Sequence, residues 1–383
     1  MPESVASPHP RPPADRPWRL VLAGLGNVGS GVLRILDERA AELRRRHGLE
    51  FVLVGVAEHG GAAVDPAGLD LATIRRTVRE GRPVAELPGV GRPGLTPAEL
   101  VTELRPDVLL EATPVNLDDG EPGLGTVRTA LALGTHAVLA NKGPLALAYE
   151  ELTGAADLRD GWGLAHRHPG PRLRFSACVA GALPVVNIGA RDLAGAGITR
   201  IEALFNGTTQ SILRAMEAGQ GYAEALADAQ RRGIAEADPS LDVDGLDAAC
   251  KLVITVNAVL DQQAKLGDVR VEGIRGVTRE AVTAAAERGE RIVLLCLAEA
   301  TDGGFRLSVR PTAVPLTHPL AGLTPDEMGV VYHSDEVDRI VASSLEPGAE
   351  PASAAMVRDL LDIAAAASIA ATGPLAAREP ART

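Results

Sequence analysis

Residues 18–58 read WRLVLAGLGNVGSGVLRILDERAAELRRRHGLEFVLVGVAE, and this stretch decides the fold. A short apolar run, RLVLAGLG, passes through a glycine turn into GSGVLRILDERAAELRRRH, whose apolar residues recur at helical spacing. A second apolar run, FVLVGVAE, follows, so the stretch predicts strand, helix and strand. Gly24, Gly26 and Gly29 form G-x-G-x-x-G at the turn, with Asn27 and Val28 between the last two. In that context the glycines allow a tight turn and close backbone approach, and the helix N-terminus faces a pyrophosphate. Detached from the flanking strand and helix, the same three glycines would be only a loop. Gly24, Gly26, Asn27, Val28 and Gly29 are therefore assigned to dinucleotide binding. Glu58 ends the second run, where a carboxylate can accept hydrogen bonds from the adenosine ribose and repel a 2′-phosphate. It favours NAD over NADP, with NADP left open; its other reading is a solvated turn carboxylate. Arg75 and Arg76 lie too far along to be read as a phosphate clamp.

Outward from this unit, PDVLLEAT and THAVLANK read as two more strands separated by the helical GLGTVRTALALG. This alternation predicts a parallel sheet with helices on its faces, a Rossmann-like domain over residues 17–150. Thr113, ending the third run, joins the candidate cofactor residues. Residues 151–345 change character: RLRFSACVAG, TRIEALFNG, GFRLSVRPTAV and MGVVYHSD read as strands, and SILRAMEAG, YAEALADAQRRG and VDGLDAACKLVITVNAVL as helices. This predicts a mixed α+β domain. A last helix falls within residues 346–373. Residues 1–16, with five prolines, read as a disordered extension and residues 374–383 as a loose tail.

Composition narrows the function. With 383 residues, two domains are expected. A net charge of −12 opposes nucleic acid and anionic membrane surfaces, and aromatic residues at 2% offer little for base stacking. No apolar run reaches membrane-spanning length and no secretory leader is visible, which predicts a cytoplasmic protein. Cys178, Cys250 and Cys296 have no metal-ligand or disulfide spacing and read as buried thiols; His166 and His168 are the nearest histidine pair, in a loop. Of 38 basic residues only Lys142, Lys251 and Lys265 are lysine. A bias that installs Arg wherever Arg suffices leaves lysine where a proton must be exchanged, since Arg does not give one up.

Lys142, in ANKGP, falls at the carboxyl edge of the sheet, where ligands of such sheets collect; a surface lysine at a strand end is the other reading. Asp247 and Lys251 are four apart on a predicted helix and share one face, so they form either a proton-passing pair or a structural ion pair. GIAEADPSLDVDG gathers Glu236, Asp238, Asp242 and Asp244, which suits an ammonium group or equally a solvated linker. Asn206, Gly207, Thr208 and Thr209 read as a helix cap or as small groups approaching a ligand.

Taken together, GLGNVG, ANKGPLA, FNGTTQSIL and GIAEADPSLDVDGLDAACK, in this order, resemble the homoserine dehydrogenase family over nearly the whole chain. The resemblance implies a two-domain, NAD(P)-dependent homodimer acting on a small amino-acid substrate, with the C-terminal helix returning to the nucleotide domain. By the same resemblance Lys142 and Lys251 face the reacting oxygen, Asp247 orients Lys251, and Glu236 and Asp242 hold the substrate ammonium. Gly207 and Thr208 line the pocket. A monovalent cation would sit on backbone carbonyls of Ser176, Val179, Gly181 and Leu183. Many members have Glu where this chain has Ser176 and Tyr where it has Ile234; the first weakens the cation site and the second removes a hydroxyl contact. The tail is too short for the amino-acid-sensing domain of longer relatives. Two other functions stay open: a dehydrogenase of a related amino alcohol or semialdehyde, and a silent nucleotide-binding sensor, against which the two retained lysines argue.

Overall fold

A computed structural model describes residues 16–156 and 170–372. The predicted extension up to residue 15, the tail 374–383 and the pair His166 and His168 lie outside the described residues. Arg16, counted with the extension, is held in a 2.7 Å ion pair with Asp107. The described residues of Met1–Pro144, Glu150–Phe175 and Ser353–Thr383 form one compact unit, and Leu145–Tyr149 with Ser176–Ala352 form a second.

In the first unit β1 (Trp18–Ala23) leads through the glycine turn to α1 (Asn27–Glu38), α2 (Ala40–His47) and β2 (Phe51–Glu58). The single helix predicted there is broken at Arg39, at φ −109° and ψ 11°; nothing in the local sequence marks the break. Then come β3 (Gly61–Val64), α3 (Leu71–Arg79), β4 (Gly91–Pro93), α4 (Pro97–Leu104), β5 (Val108–Glu111), α5 (Gly123–Ala132) and β6 (His136–Leu139). The run ends with α6 (Gly143–Gly154), whose residues 145–149 belong to the second unit, and β7 (Leu173–Arg174). The strand order is β4-β3-β2-β1-β5-β6-β7. From β2 to β7 all pairings are parallel, and β3 and β4 add an antiparallel edge. β1 and β5 are buried nearly throughout, as strands covered on both faces must be. The chain reverses direction across the sheet between β2 and β5, with β1 in the middle, so the carboxyl end of β1 is the switch point where such sheets bind ligands.

The second unit contains α7 (Val185–Asn187), β8 (Ile198–Leu204), α8 (Gly207–Glu217), α9 (Tyr222–Arg231), α10 (Ser240–Val243) and α11 (Leu246–Leu260). It continues with β9 (Val269–Val271), α12 (Arg279–Glu287), β10 (Glu290–Thr301), β11 (Gly304–Pro315), β12 (Glu327–Ser334) and β13 (Asp338–Leu345). Its sheet runs β13-β12-β8-β10-β11-β9, antiparallel except for β11 with β9. α11 is buried from Asp247 through Asn257, which is why its sequence is apolar nearly all round. α13 (Glu350–Thr372) follows, and from Ser353 onward it belongs to the first unit, where the Ser353 hydroxyl donates to Val28 O at 2.9 Å.

One strand assignment is corrected. RLRFSACVAG was expected in the second domain; only Leu173 and Arg174 are extended, and they pair with β6 at the edge of the first sheet. Ser176–Cys178 is a helical turn instead. Cys178, Cys250 and Cys296 are buried and joined in no disulfide among the described residues, and burial pushes the Cys296 thiol up to about 12. Among the described residues no helix is long and apolar enough to cross a membrane.

Candidate active site

The three glycines of the turn answer to three different constraints. Gly24 has φ +96°, and a Cβ there would lie 2.3 Å from Ala112 O at the end of β5. A Cβ on Gly29 would lie 2.0 Å from Gly24 O, so α1 can start this close to its strand only without a side chain. A Cβ on Gly26 would meet nothing within 4 Å. The structure itself therefore gives no packing reason for the second glycine; a ligand approaching the backbone does. Gly26 caps α1 without a side-chain acceptor, and the amides of Asn27, Val28 and Gly29 open the helix, where intrahelical acceptors are lacking. A dinucleotide pyrophosphate fits this cradle.

Glu58 stands at the carboxyl end of β2, half-buried, and its Oε1 accepts from Val84 N at 2.6 Å. Only the other oxygen is free of such a bond, and the antiparallel hairpin into β3 begins directly behind it. Arg75 pairs with Asp37 and Glu38, which accounts for it without a phosphate.

Around the end of β5 lies a cluster in which Thr113 meets Glu111 and Asn141, two residues that the sequence did not single out. Glu111 is fully buried; its Oε1 accepts from Thr113 N at 2.9 Å and from the Thr113 hydroxyl, and Asn141 Nδ2 approaches at 3.4 Å. Asn141 also donates to Thr113 Oγ1 at 3.1 Å and accepts from Gly143 N at 2.9 Å. These bonds fix the backbone on both sides of Lys142, which caps α6 half-buried. Glu111 Oε2 is buried without a hydrogen-bond partner, and burial pushes the carboxyl up to about 7. The available signal was a charged residue closing the apolar run VLLE.

In the second unit Asp247 and Lys251 share a buried face of α11, with Nζ 2.8 Å from Asp247 Oδ2 and 2.6 Å from Phe205 O. Asn206 Nδ2 donates to Asp247 Oδ2 at 3.0 Å and to Asp242 Oδ1 at 2.6 Å. Burial, then the charge of Asp247, raises the proton affinity of Asp242, against the lowering effect of Asn206 and Thr208. Thr208 Oγ1 donates to Ile234 O at 3.2 Å, and a Cβ on Gly207 would touch only Pro325 O, at 3.3 Å.

The acidic segment does not act as one loop. Asp238 is bound by Ser240, Asp244 pairs with Arg275, and only Asp242, on the short helix α10, reaches the Asp247 and Lys251 group. Glu236 is exposed and its carboxylate makes no hydrogen bond to that group. In the CVAGALPV loop, Ser176 O accepts from Val179 N and Leu183 O from Val185 N. Glu346 receives Ala182 N at 3.0 Å and Leu183 N at 3.1 Å, pinning this loop.

A glycine cradle at the switch point of a parallel sheet in one unit, and a buried acid–amine pair in the other, are the parts an oxidoreductase working with a nicotinamide dinucleotide requires. The comparisons say which. The family model described as homoserine dehydrogenase matches residues 184–361, and that of the homoserine dehydrogenase NAD binding domain matches residues 24–161. A homoserine dehydrogenase of Methanocaldococcus jannaschii is 33% identical, the match covering 90% of this chain and 98% of that protein. An NAD(+)-dependent homoserine dehydrogenase of Pseudomonas canavaninivorans is 32% identical over 90% of this chain and 96% of its own. The crystal structure of a homoserine dehydrogenase from Thiobacillus denitrificans superimposes with a TM-score of 0.76 at 30% identity, covering 95% of this chain and 76% of that one. The chain belongs to the homoserine dehydrogenase family and is an NAD(P)-dependent oxidoreductase of the route to threonine and methionine.

Proposed function

We propose that Lys251 exchanges the proton of the reacting oxygen as L-homoserine and L-aspartate 4-semialdehyde interconvert. The observation that carries this is the buried Lys251 ammonium, held by Asp247 and Phe205 O in a chain with three lysines. When bound, the nicotinamide supplies the hydride acceptor for C4 of homoserine. Lys251 as free amine takes the hydroxyl proton in oxidation; as ammonium it offsets charge developing on oxygen and returns the proton in reduction. Asp247 orients Lys251, and Asp242 is assigned to the substrate ammonium with Gly207 and Thr208 beside it. Glu236 is assigned to the same ammonium on the family motif alone, since in this structure it is exposed. Lys142 is assigned to cofactor binding and proton exchange, on its motif and its place after β6.

Gly24, Gly26, Asn27, Val28, Gly29 and Thr113 are assigned to the cofactor. Glu58 makes NAD the preferred one, NADP being the alternative. A monovalent cation is proposed for the carbonyls of Ser176, Val179, Gly181 and Leu183 in the CVAGALPV loop; among the described residues those of Val179 and Gly181 accept no backbone amide, and Glu346 supplies negative charge. Replacing potassium and sodium by a bulky organic cation would then lower the rate. We further propose a cytoplasmic homodimer, supported by Val341 and Leu345 exposed at 47% and 63% on the edge strand β13. Sedimentation velocity at micromolar protein tests the dimer. The proposal for Lys251 is tested by the dependence of kcat on pH in the wild type and in Lys251→Arg, which cannot deprotonate in the accessible range. An unchanged profile and rate would remove Lys251 from proton exchange.

A further inference from the structure

Asn206 occupies an unusual position among the groups of the second unit. It follows β8 in extended conformation, and its Oδ1 accepts from Thr209 N at 2.8 Å, capping α8. Read alone, that is an ordinary helix cap. Its amide nitrogen, however, donates to two carboxylates on two different helices, Asp242 Oδ1 on α10 and Asp247 Oδ2 on α11. Both N–H bonds of the amide are thereby engaged, and the side chain is buried. The orientation of the amide follows from chemistry: the atom facing two carboxylates must be the donor, and the atom facing the Thr209 N–H must be the acceptor. Phe205, the residue before it, accepts from Lys251 Nζ through its carbonyl. Two consecutive residues thus hold the lysine, its partner carboxylate and the second carboxylate.

We propose that Asn206 is a positioning residue that ties Asp242 to the Asp247 and Lys251 pair, so that substrate binding and proton exchange share one hydrogen-bonded unit. The inference rests on the roles proposed above for those three residues. Two neighbouring carboxylates in a half-buried site repel each other, and burial together with Asp247 already raises the proton affinity of Asp242. The Asn206 amide counters this by donating to both, which keeps both able to accept from cations. Engagement of Asp242 by a substrate ammonium would then be felt at Asp247 through a single rigid side chain.

The test is Asn206→Asp. It preserves the shape and the acceptor that caps α8, removes both donors, and sets a third carboxylate against the other two. The expected result is kcat lower by about 100-fold or more and KM for homoserine higher by about tenfold. The acid limb of kcat/KM should move to higher pH and KM for the cofactor should stay near wild type, while Tm falls because a third carboxylate joins a buried pair. Turnover within about threefold of wild type would overturn the proposal. So would a rate that falls only in step with Tm while the pH profile stays in place, because Asn206 would then be a cap and nothing more. Should Asn206→Asp fail to fold, Asn206→Ser keeps the cap acceptor and one donor; its KM and kcat should fall between wild type and loss, and wild-type values overturn the proposal. Lys251→Ala run in parallel separates the two levels. An active Lys251→Ala removes the underlying reading and this inference with it, whereas an inactive Lys251→Ala beside an active Asn206→Asp removes the inference alone.

Discussion

The carboxylate of Asp247 lies 2.8 Å from the ammonium of Lys251, one helical turn away on a buried face of α11. A buried pair is costly to break from one side, because the remaining charge keeps its desolvation penalty and loses its partner. Asp247→Ala should therefore destabilise the fold by about 3–5 kcal/mol, whereas Lys251→Met together with Asp247→Leu should cost far less. Urea denaturation of the three proteins checks this; equal midpoints for wild type and Asp247→Ala would contradict it.

The glycine turn gives a contrast within one motif. Gly29→Ala places a methyl 2.0 Å from Gly24 O and should lower Tm and weaken cofactor binding together. Gly26→Ala meets nothing within 4 Å, so Tm should stay within a few degrees while KM for NAD rises. Thermal melts and cofactor titrations of both variants decide it. If Gly26→Ala binds NAD as wild type does, the space beside Gly26 is not the cofactor's.

Glu111 carries a pH signature. Its carboxyl is pushed by burial from 4.5 to about 7. With the folded value raised, the native state holds the proton more tightly than the unfolded chain. The stabilisation is complete below the unfolded value and is lost as pH rises through the folded one. Glu111→Gln cannot titrate. Its stability relative to wild type should improve by on the order of 2–3 kcal/mol between about pH 5 and about pH 8. Denaturation curves at both pH values measure the change; a difference that does not vary with pH would show that Glu111 is ionised throughout.

Cofactor choice can be probed at Glu58 without disturbing Val84. Glu58→Gln retains an acceptor for the Val84 amide and removes the charge that opposes a 2′-phosphate. The ratio of kcat/KM for NADP to that for NAD should rise by about tenfold. An unmoved ratio would place the selection elsewhere.

The parts legible in the sequence were those with a local requirement. The glycine turn announces itself because its backbone tolerates no side chain at Gly24 and Gly29, and the spacing of Asp247 and Lys251 alone places them on one helix face. β3 and β4, GAAV and GRP, are too short and too rich in Gly and Pro to alternate, and β10 is an apolar run that length and period do not separate from a helix. The bridging role of Asn206 could not be read, since its partners are 36 and 41 residues away and only the folded chain brings them to one amide. In the sequence the acidic segment stays between an ammonium site and a solvated linker, because proximity along the chain does not separate the two. In the fold it divides, Asp242 meeting Asn206 while Asp238 and Asp244 turn to Ser240 and Arg275.

The most direct measurement is the initial rate of homoserine-dependent NAD reduction at alkaline pH by wild type and by Lys251→Ala, with NADP run alongside. Robust reduction by the wild type, with NAD favoured, is expected, together with a fall in kcat of about 100- to 10,000-fold in the variant without change in KM for NAD. Lys251→Ala turning over at the wild-type rate would contradict the role of Lys251 in proton exchange.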